Sequence, residues 1–171
     1  MTWDCSPDLA RVGAGHPVAA YRDEITTVLH RGRAIIIAPP GTGKTTFVPP
    51  LVASRCSGRV IVTQPRRVAA RAAARRLATL TGTHPGEFAS HTVRGESTMT
   101  RDTKVEFVTT GVLLRRLLND PDLTGVDAVI LDEIHERHLD ADLVVAMVCE
   151  VAQLRDDLII VAMSATVDSS G

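Results

Sequence analysis

Short runs rich in β-branched residues alternate along this chain with longer stretches whose apolar positions recur at helical spacing. RAIIIA (33–38), RVIVTQ (59–64), KVEFV (104–108), AVILD (128–132) and LIIVAMS (158–164) predict strands. Between them, 18–31, 43–54, 66–81, 110–119 and 140–154 predict helices. Leu113, Leu114, Leu117 and Leu118 mark the apolar stripe of one, and Leu143, Met147 and Val151 that of another. Strand and helix in alternation imply an α/β fold, a mostly parallel sheet with helices on both faces. Such sheets bind ligands at the carboxyl ends of their strands. The polar, turn-rich stretch 82–103 predicts a loop crossing with one short strand. No internal repeat or low-complexity tract interrupts the pattern, which fits one domain.

Two strand ends carry chemistry. The first run leads into PPGTGKTTF, a glycine-rich turn between strand and helix, which is the context a phosphate-binding loop requires. Gly41 and Gly43 let backbone amides approach a polyphosphate with no side chain in the way. The amides of Gly43, Lys44 and Thr45 then point at the phosphates from the helix start. Lys44 supplies a cation for the β- and γ-phosphates, and Thr45 a hydroxyl for Mg²⁺. Ala38 stands where the usual pattern begins with glycine, at the strand end rather than on the ligand.

The fourth run ends in Asp132 with Glu133 beside it. Neighbouring carboxylates disfavour joint ionisation unless a cation neutralises them. Asp132 as a Mg²⁺ ligand, with Glu133 at the metal site polarising an attacking water, removes that objection. The plain alternative is a solvated acid pair at a helix start, where the dipole favours negative charge. HERH (135–138) does not spell a zinc helix, because its histidines are three residues apart rather than four.

The chain has 171 residues, 44% hydrophobic and 23% charged, and a formal net charge of −1, so no global basic field advertises a polyanionic partner. Any such binding rests on local patches. Of 19 basic residues only Lys44 and Lys104 are lysines, and arginine suits phosphate contacts. Cys5, Cys56 and Cys149 are isolated, which implies free thiols and a reducing cytoplasm. No apolar run is long enough to span a bilayer. Residues 1–16 lack the pattern of a secretory signal and are expected to be largely flexible.

APPGTGKTT, TQPRRVAARAAARRLA, TTGVLLRRL, DEIHER and SAT follow one another over 17–168. In that order and spacing they resemble the first RecA-like domain of DEAH-box helicases, of the bacterial HrpB type. Ile134 stands where the family name has alanine. The resemblance implies a three-layer α/β/α P-loop fold in which the SAT strand lies between the P-loop strand and the acid-pair strand. It implies an ATP-dependent RNA helicase using ATP and Mg²⁺, with Lys44, Asp132, Glu133 and His135 catalytic. Pro40, Gly41, Thr42, Gly43, Lys44, Thr45 and Thr46 would cradle the nucleotide and Arg76 lie against its base, with weak discrimination among nucleotides. His135 would couple the nucleotide site to a second RecA-like domain, and Ser164 and Thr166 would link hydrolysis to strand separation. That second domain, with its arginine finger, is not within these residues. The chain is therefore expected to be the N-terminal domain of a longer enzyme, binding nucleotide but hydrolysing it poorly. A non-catalytic nucleotide- or RNA-binding module is the alternative.

Nucleic-acid contacts follow from the same strand edge. Arg66 and Arg67 sit at a strand-to-helix junction, where the helix start attracts phosphate. Arg71 and Arg75 share a face with Arg67 and read as solvated. Thr109, Thr110 and Gly111 form a second junction, a hydroxyl cap with exposed amides, and Arg94 is a third candidate. With one Trp, one Tyr and three Phe, base stacking is scarce and backbone contacts to RNA, or to DNA, should dominate.

Overall fold

A computed structural model describes residues 6–136 and 138–165. Alternation along the strands divides the core. Val60 and Val62 join one buried cluster, with Val105, Phe107, Ala128, Ile130, Val161 and Met163. Ile61 joins the other, with Val108, Val129 and Leu131. Both faces of the sheet are therefore covered, as parallel strands require. The strands are β1 (Arg33–Ala38), β2 (Arg59–Gln64), β3 (Ala89–Val93), β4 (Glu96–Ser97), β5 (Val105–Thr109), β6 (Val126–Leu131) and β7 (Ile159–Ala165). They form a seven-stranded sheet in the order β1-β7-β6-β2-β5-β3-β4. Only β4 runs antiparallel to its neighbour. β7 lies between β1 and β6, the order the resemblance implied.

The helices are α1 (Leu9–Gly13), α2 (Arg22–Leu29), α3 (Lys44–Ala53), α4 (Arg67–Thr81), α5 (Thr110–Asn119) and α6 (Leu139–Leu154). Residues of α1 to α4 line the first cluster, and those of α5 and α6 the second. α3 keeps its form despite Pro49 and Pro50 because Phe47 through Ala53 are all buried. Packing there outweighs the lost helical hydrogen bonds. No helix among the described residues is long and apolar enough to cross a membrane.

Three expectations are corrected. The helix read over 18–31 is a 3₁₀ turn at Pro17–Tyr21 followed by α2. Part of the stretch expected to be flexible is a capped helical turn: Asp8 accepts from the Arg11 amide at 3.1 Å, and Val12 is fully buried. The crossing 82–103 holds two strands, β3 in parallel with β5 and β4 closing a two-residue hairpin on it. Polar bonds hold that hairpin. The His91 amide donates to Thr98 Oγ1 at 3.0 Å, and Glu96 takes Arg71 Nη2 at 2.8 Å and His91 Nε2 at 2.5 Å. Those bonds hold the Glu96 carboxyl down to about 2.

One carboxylate lies inside the fold. Glu106 on β5 has no solvent exposure. It accepts from Arg116 Nη1 and Nη2 of α5 at 2.5 and 2.9 Å and from Thr92 Oγ1 of β3 at 2.6 Å, with Arg59 Nε 3.4 Å away. Burial pushes the carboxyl up, but the Arg116 hydrogen bonds and charge outweigh it and hold the group below its ordinary value. Arg116→Ala strands this charge and is expected to lower unfolding free energy by about 3 kcal/mol in denaturant titrations. Since the folded carboxyl titrates below the ordinary 4.5, its stabilisation is full above about pH 5 and fades on acidification. The advantage of the wild type over Glu106→Gln should shrink accordingly.

Candidate functional site

Backbone geometry shapes the loop after β1. Gly41 and Gly43 have φ of +76° and +89°, a region that costs other residues about 1–2 kcal/mol. Gly43 is the N-cap of α3, and no side chain caps that helix. Its first amides are thus left for a ligand. The loop is braced from outside. Thr42 Oγ1 donates to the Pro39 carbonyl at 2.8 Å, and the Val18 amide to the Thr42 carbonyl at 3.0 Å. The Thr46 amide returns to the Gly43 carbonyl at 3.2 Å. A Cβ on Gly43 would lie 2.6 Å from Cβ, Cγ and Nδ1 of His16, so the imidazole fills the space that glycine leaves. Lys44 is buried, and its Nζ donates to the carbonyls of Ala38 and Pro39 at 2.7 and 3.2 Å. The ammonium is held inside the loop, while Pro40 and Gly41 lie exposed above it.

The acid pair meets this loop. Asp132 Oδ2 accepts from Thr45 Oγ1 at 2.6 Å and from Gln64 Nε2 at 2.7 Å. Asp132 Oδ1 accepts from the Glu133 amide at 2.9 Å. Glu133 has φ +58°, uncommon for a residue with a side chain. The chain turns sharply there, and the Ile134 amide crosses to the Met163 carbonyl at 3.2 Å. Burial first, then the Asp132 charge, pushes the Glu133 carboxyl above its ordinary value. Glu133 Oε2 lies 3.0 Å from His135 Nε2. The Ala165 amide can only donate, and it reaches His135 Nδ1 at 3.3 Å. Nδ1 is therefore the acceptor and the neutral ring carries its proton on Nε2, facing Glu133. Ser164 Oγ lies 3.3 Å from the same Nδ1. Thr166 lies outside the described residues.

A second constellation occupies the ends of β2 and β5, which pair in register at Gln64 and Thr109. α4 and α5 start there side by side. Neither is capped by a side chain, and neither has an acid in its first turn. The hydroxyl cap expected at Thr109 is not made, which leaves the amides beside Thr110 and Gly111 open. Arg66 points outward, its Nη2 3.8 Å from Glu136 Oε1. Arg67 donates to the Arg94 carbonyl at 2.8 Å, so it braces the β3–β4 hairpin as well as facing the edge. Arg71 is not simply solvated, since it pairs with Glu96. A cleft of about 30 Å³ lined by Pro65, Thr110, Asp132 and Glu133 joins the two constellations. Arg76 is exposed on α4 and makes no hydrogen bond or ion pair among the described residues.

Gln64, His16 and Glu136 escaped the sequence reading. Gln64 had a signal, a polar residue ending an otherwise apolar strand. His16 had none, because its contact with Gly43 exists only after the N-terminal segment docks.

Comparisons with known proteins agree with this geometry. The description "DEAD/DEAH box helicase" matches residues 21–170. The chain is 43% identical over 157 residues to the ATP-dependent RNA helicase HrpB of Escherichia coli (strain K12), an alignment covering 90% of this chain and 19% of that protein. It is 38% identical over 167 residues to the ATP-dependent RNA helicase DHX29 of Mus musculus, over 90% of this chain and 12% of that one. The crystal structure of Escherichia coli DEAH/RHA helicase HrpB superposes with a TM-score of 0.85 over 91% of this chain and 20% of that one. The chain thus spans a fifth or less of these relatives. A loop-and-acid site of this shape on a RecA-like sheet, matched over nearly the whole chain, places it in a family: it belongs to the DEAD/DEAH box helicases.

Proposed function

We propose that this chain is the ATP-binding module of an ATP-dependent RNA helicase, in which hydrolysis of Mg-ATP drives movement along a strand or its separation. The 2.6 Å contact between Thr45 Oγ1 and Asp132 Oδ2 carries the reading. It joins the phosphate loop to the acid strand across an intervening strand, as a triphosphate site requires. The names of the relatives supply ATP and RNA.

Thr45 and Asp132 offer hard oxygen donors, the chemistry Mg²⁺ selects, so these residues fit the ion and would hold it, with Glu133 beside them. When bound, Mg²⁺ would neutralise charge on the phosphate oxygens. Lys44 would exchange its loop carbonyls for phosphate oxygens, and the open amides of α3 would complete the cradle around Pro40 to Thr46. Glu133, made more basic by burial and Asp132, takes the proton of the attacking water. The Nε2 proton of His135 fixes that carboxylate, and its Nδ1 ties the arrangement to Ser164 and Ala165. This is the route by which hydrolysis is felt along β7 and, through it, at a second RecA-like domain. Arg76 would flank the base. RNA would run over Arg66, Arg67, Arg94, Thr110 and Gly111, where unneutralised helix starts attract phosphate. The isolated thiols of Cys56 and Cys149 suit a reducing, cytoplasmic setting.

Three measurements test this. Lys44→Ala should weaken binding of a fluorescent ATP analogue about tenfold or more, through loss of charged hydrogen bonds; unchanged affinity would sink the nucleotide site. In the protein carrying both RecA-like domains, Glu133→Gln should keep nucleotide affinity and lose RNA-stimulated hydrolysis by about 10²-fold or more. Binding without turnover in the wild type would instead favour a non-catalytic module. Gly43→Ala should weaken nucleotide binding by two routes, the collision with His16 and the positive φ. Adding His16→Gly, which removes the Cβ as well as the ring, relieves the first only, so recovery should be partial.

A further inference from the structure

Between α5 and the β3–β4 hairpin runs a groove of about 290 Å³, lined among others by Thr92, Arg94, Arg115, Arg116, Asn119 and Asp120. Its charges have unequal freedom. Arg116 is committed to buried Glu106. Asp120, the acid of the lining, has its carboxylate engaged by the Thr124 amide at 2.8 Å and hydroxyl at 3.2 Å. Arg94 and Arg115 are exposed, and among the described residues neither guanidinium makes a hydrogen bond or ion pair.

The hairpin holds Arg94 in place. Val93 pairs with Glu96, so Arg94 and Gly95 form the whole turn, with Gly95 at φ +81°. Arg67 clamps the Arg94 carbonyl, and Glu96 is occupied by Arg71 and His91. The nearest acid in sequence therefore leaves the Arg94 charge uncompensated. Thr92 pairs with Val108, so the tip stands at the end of the sheet where α5 begins at Thr110. On α5, Val112, Arg115 and Asn119 share one face at helical spacing, and all three line the groove. A groove with two free guanidinium groups thus continues from the proposed strand edge down the flank of α5.

We infer that Arg115 is a nucleic-acid contact, taking a backbone phosphate of single-stranded RNA next along the chain from that held at Arg94. This rests on the strand-binding reading above and extends its path along α5. An unpaired guanidinium in a concave site is a ready phosphate ligand. No base-reading group accompanies it, so the contact is indifferent to sequence.

The test is fluorescence anisotropy of this chain with labelled oligouridylates of increasing length over a salt series. Arg115→Gln should weaken binding of long strands roughly three- to tenfold and flatten the slope of log affinity against log salt by about 0.7. Strands too short to reach the groove should bind as before, and Arg115→Lys should restore most of the loss. Arg31→Gln, an exposed arginine at the opposite end of the sheet, controls for net charge. Equal behaviour of Arg115→Gln and Arg31→Gln at every length overturns the groove contact, even while Arg66→Gln still weakens binding. Absence of salt-dependent binding in the wild type removes the strand-binding reading, and the groove contact with it. Both arginines are exposed, so unchanged thermal melts should accompany either variant.

Discussion

The site depends on a stagger in the sheet. β7 is hydrogen-bonded to β1 on one side and β6 on the other, but not to the same height. β1 pairs up to Ala38 with Ala165, whereas β6 stops at Leu131 with Ala162. The last residues of β7 therefore extend about 10 Å beyond β6, at roughly 3.3 Å per residue. Their hydrogen-bonding edge on the β6 side is free, and the acid turn uses it: Ile134 takes the Met163 carbonyl and His135 the Ala165 amide. Without the stagger the turn would have nothing to fold onto. The positive φ at Glu133 is the strained conformation this turn requires, held because both flanks are bonded.

Two buried carboxylates show how differently one fold treats the same group. Glu106 faces a guanidinium and is neutralised in place, so it serves cohesion between β5, β3 and α5. Asp132 is held by a hydroxyl, a side-chain amide and a backbone amide, all neutral donors. Those bonds fix the carboxylate without cancelling its charge. It remains able to attract a cation, which an arginine partner would have prevented. Burial alone does not separate an acid neutralised in place from one held by neutral donors; the charge of the partner does.

What was legible in the sequence follows from how local each cause is. The helix at 110–119 was readable because its apolar spacing reports directly which face is buried. The strands at 33–38 and 59–64 were readable only as β-branched runs, since Ile35 and Ile37 stay exposed and 59–64 is buried on both faces. The turn after β1 was readable because Gly41 and Gly43 act there through their own backbone, at positive φ. β3 was half-missed, since Ser90, His91 and Thr92 carry no apolar alternation and the strand is held by Glu106, Thr98 and Ser97 from elsewhere in the chain. The hydroxyl cap at Thr109 was a sound local inference that the structure does not adopt. Arg67 was readable as a cation at a strand end, but not as the clamp of a hairpin whose existence the sequence concealed.

Charge placement lets a chain of net charge −1 carry the anion-binding edge proposed above. Acids at helix starts normally offset the dipole, and this chain uses them selectively. α2 and α6 carry acids in their first turns. α3, α4 and α5 carry none, and no side chain caps them. α1 has no acid in its first turn either but is capped by Asp8, so the α-helices with neither acid nor cap are those that begin after β1 and at the Arg66 and Thr110 junctions. α2 and α6 lack a side-chain cap as well, but without first-turn acids α3, α4 and α5 also forgo a dipole stabilisation of about 0.3–1 kcal/mol each, a cost with no return in the fold itself. It is explained if a phosphate supplies the missing acceptor, through nucleotide at α3 and strand backbone at α4 and α5. On that view the field belongs to the edge and not to the molecule, so its strength is governed by which helix starts lack acids rather than by overall composition.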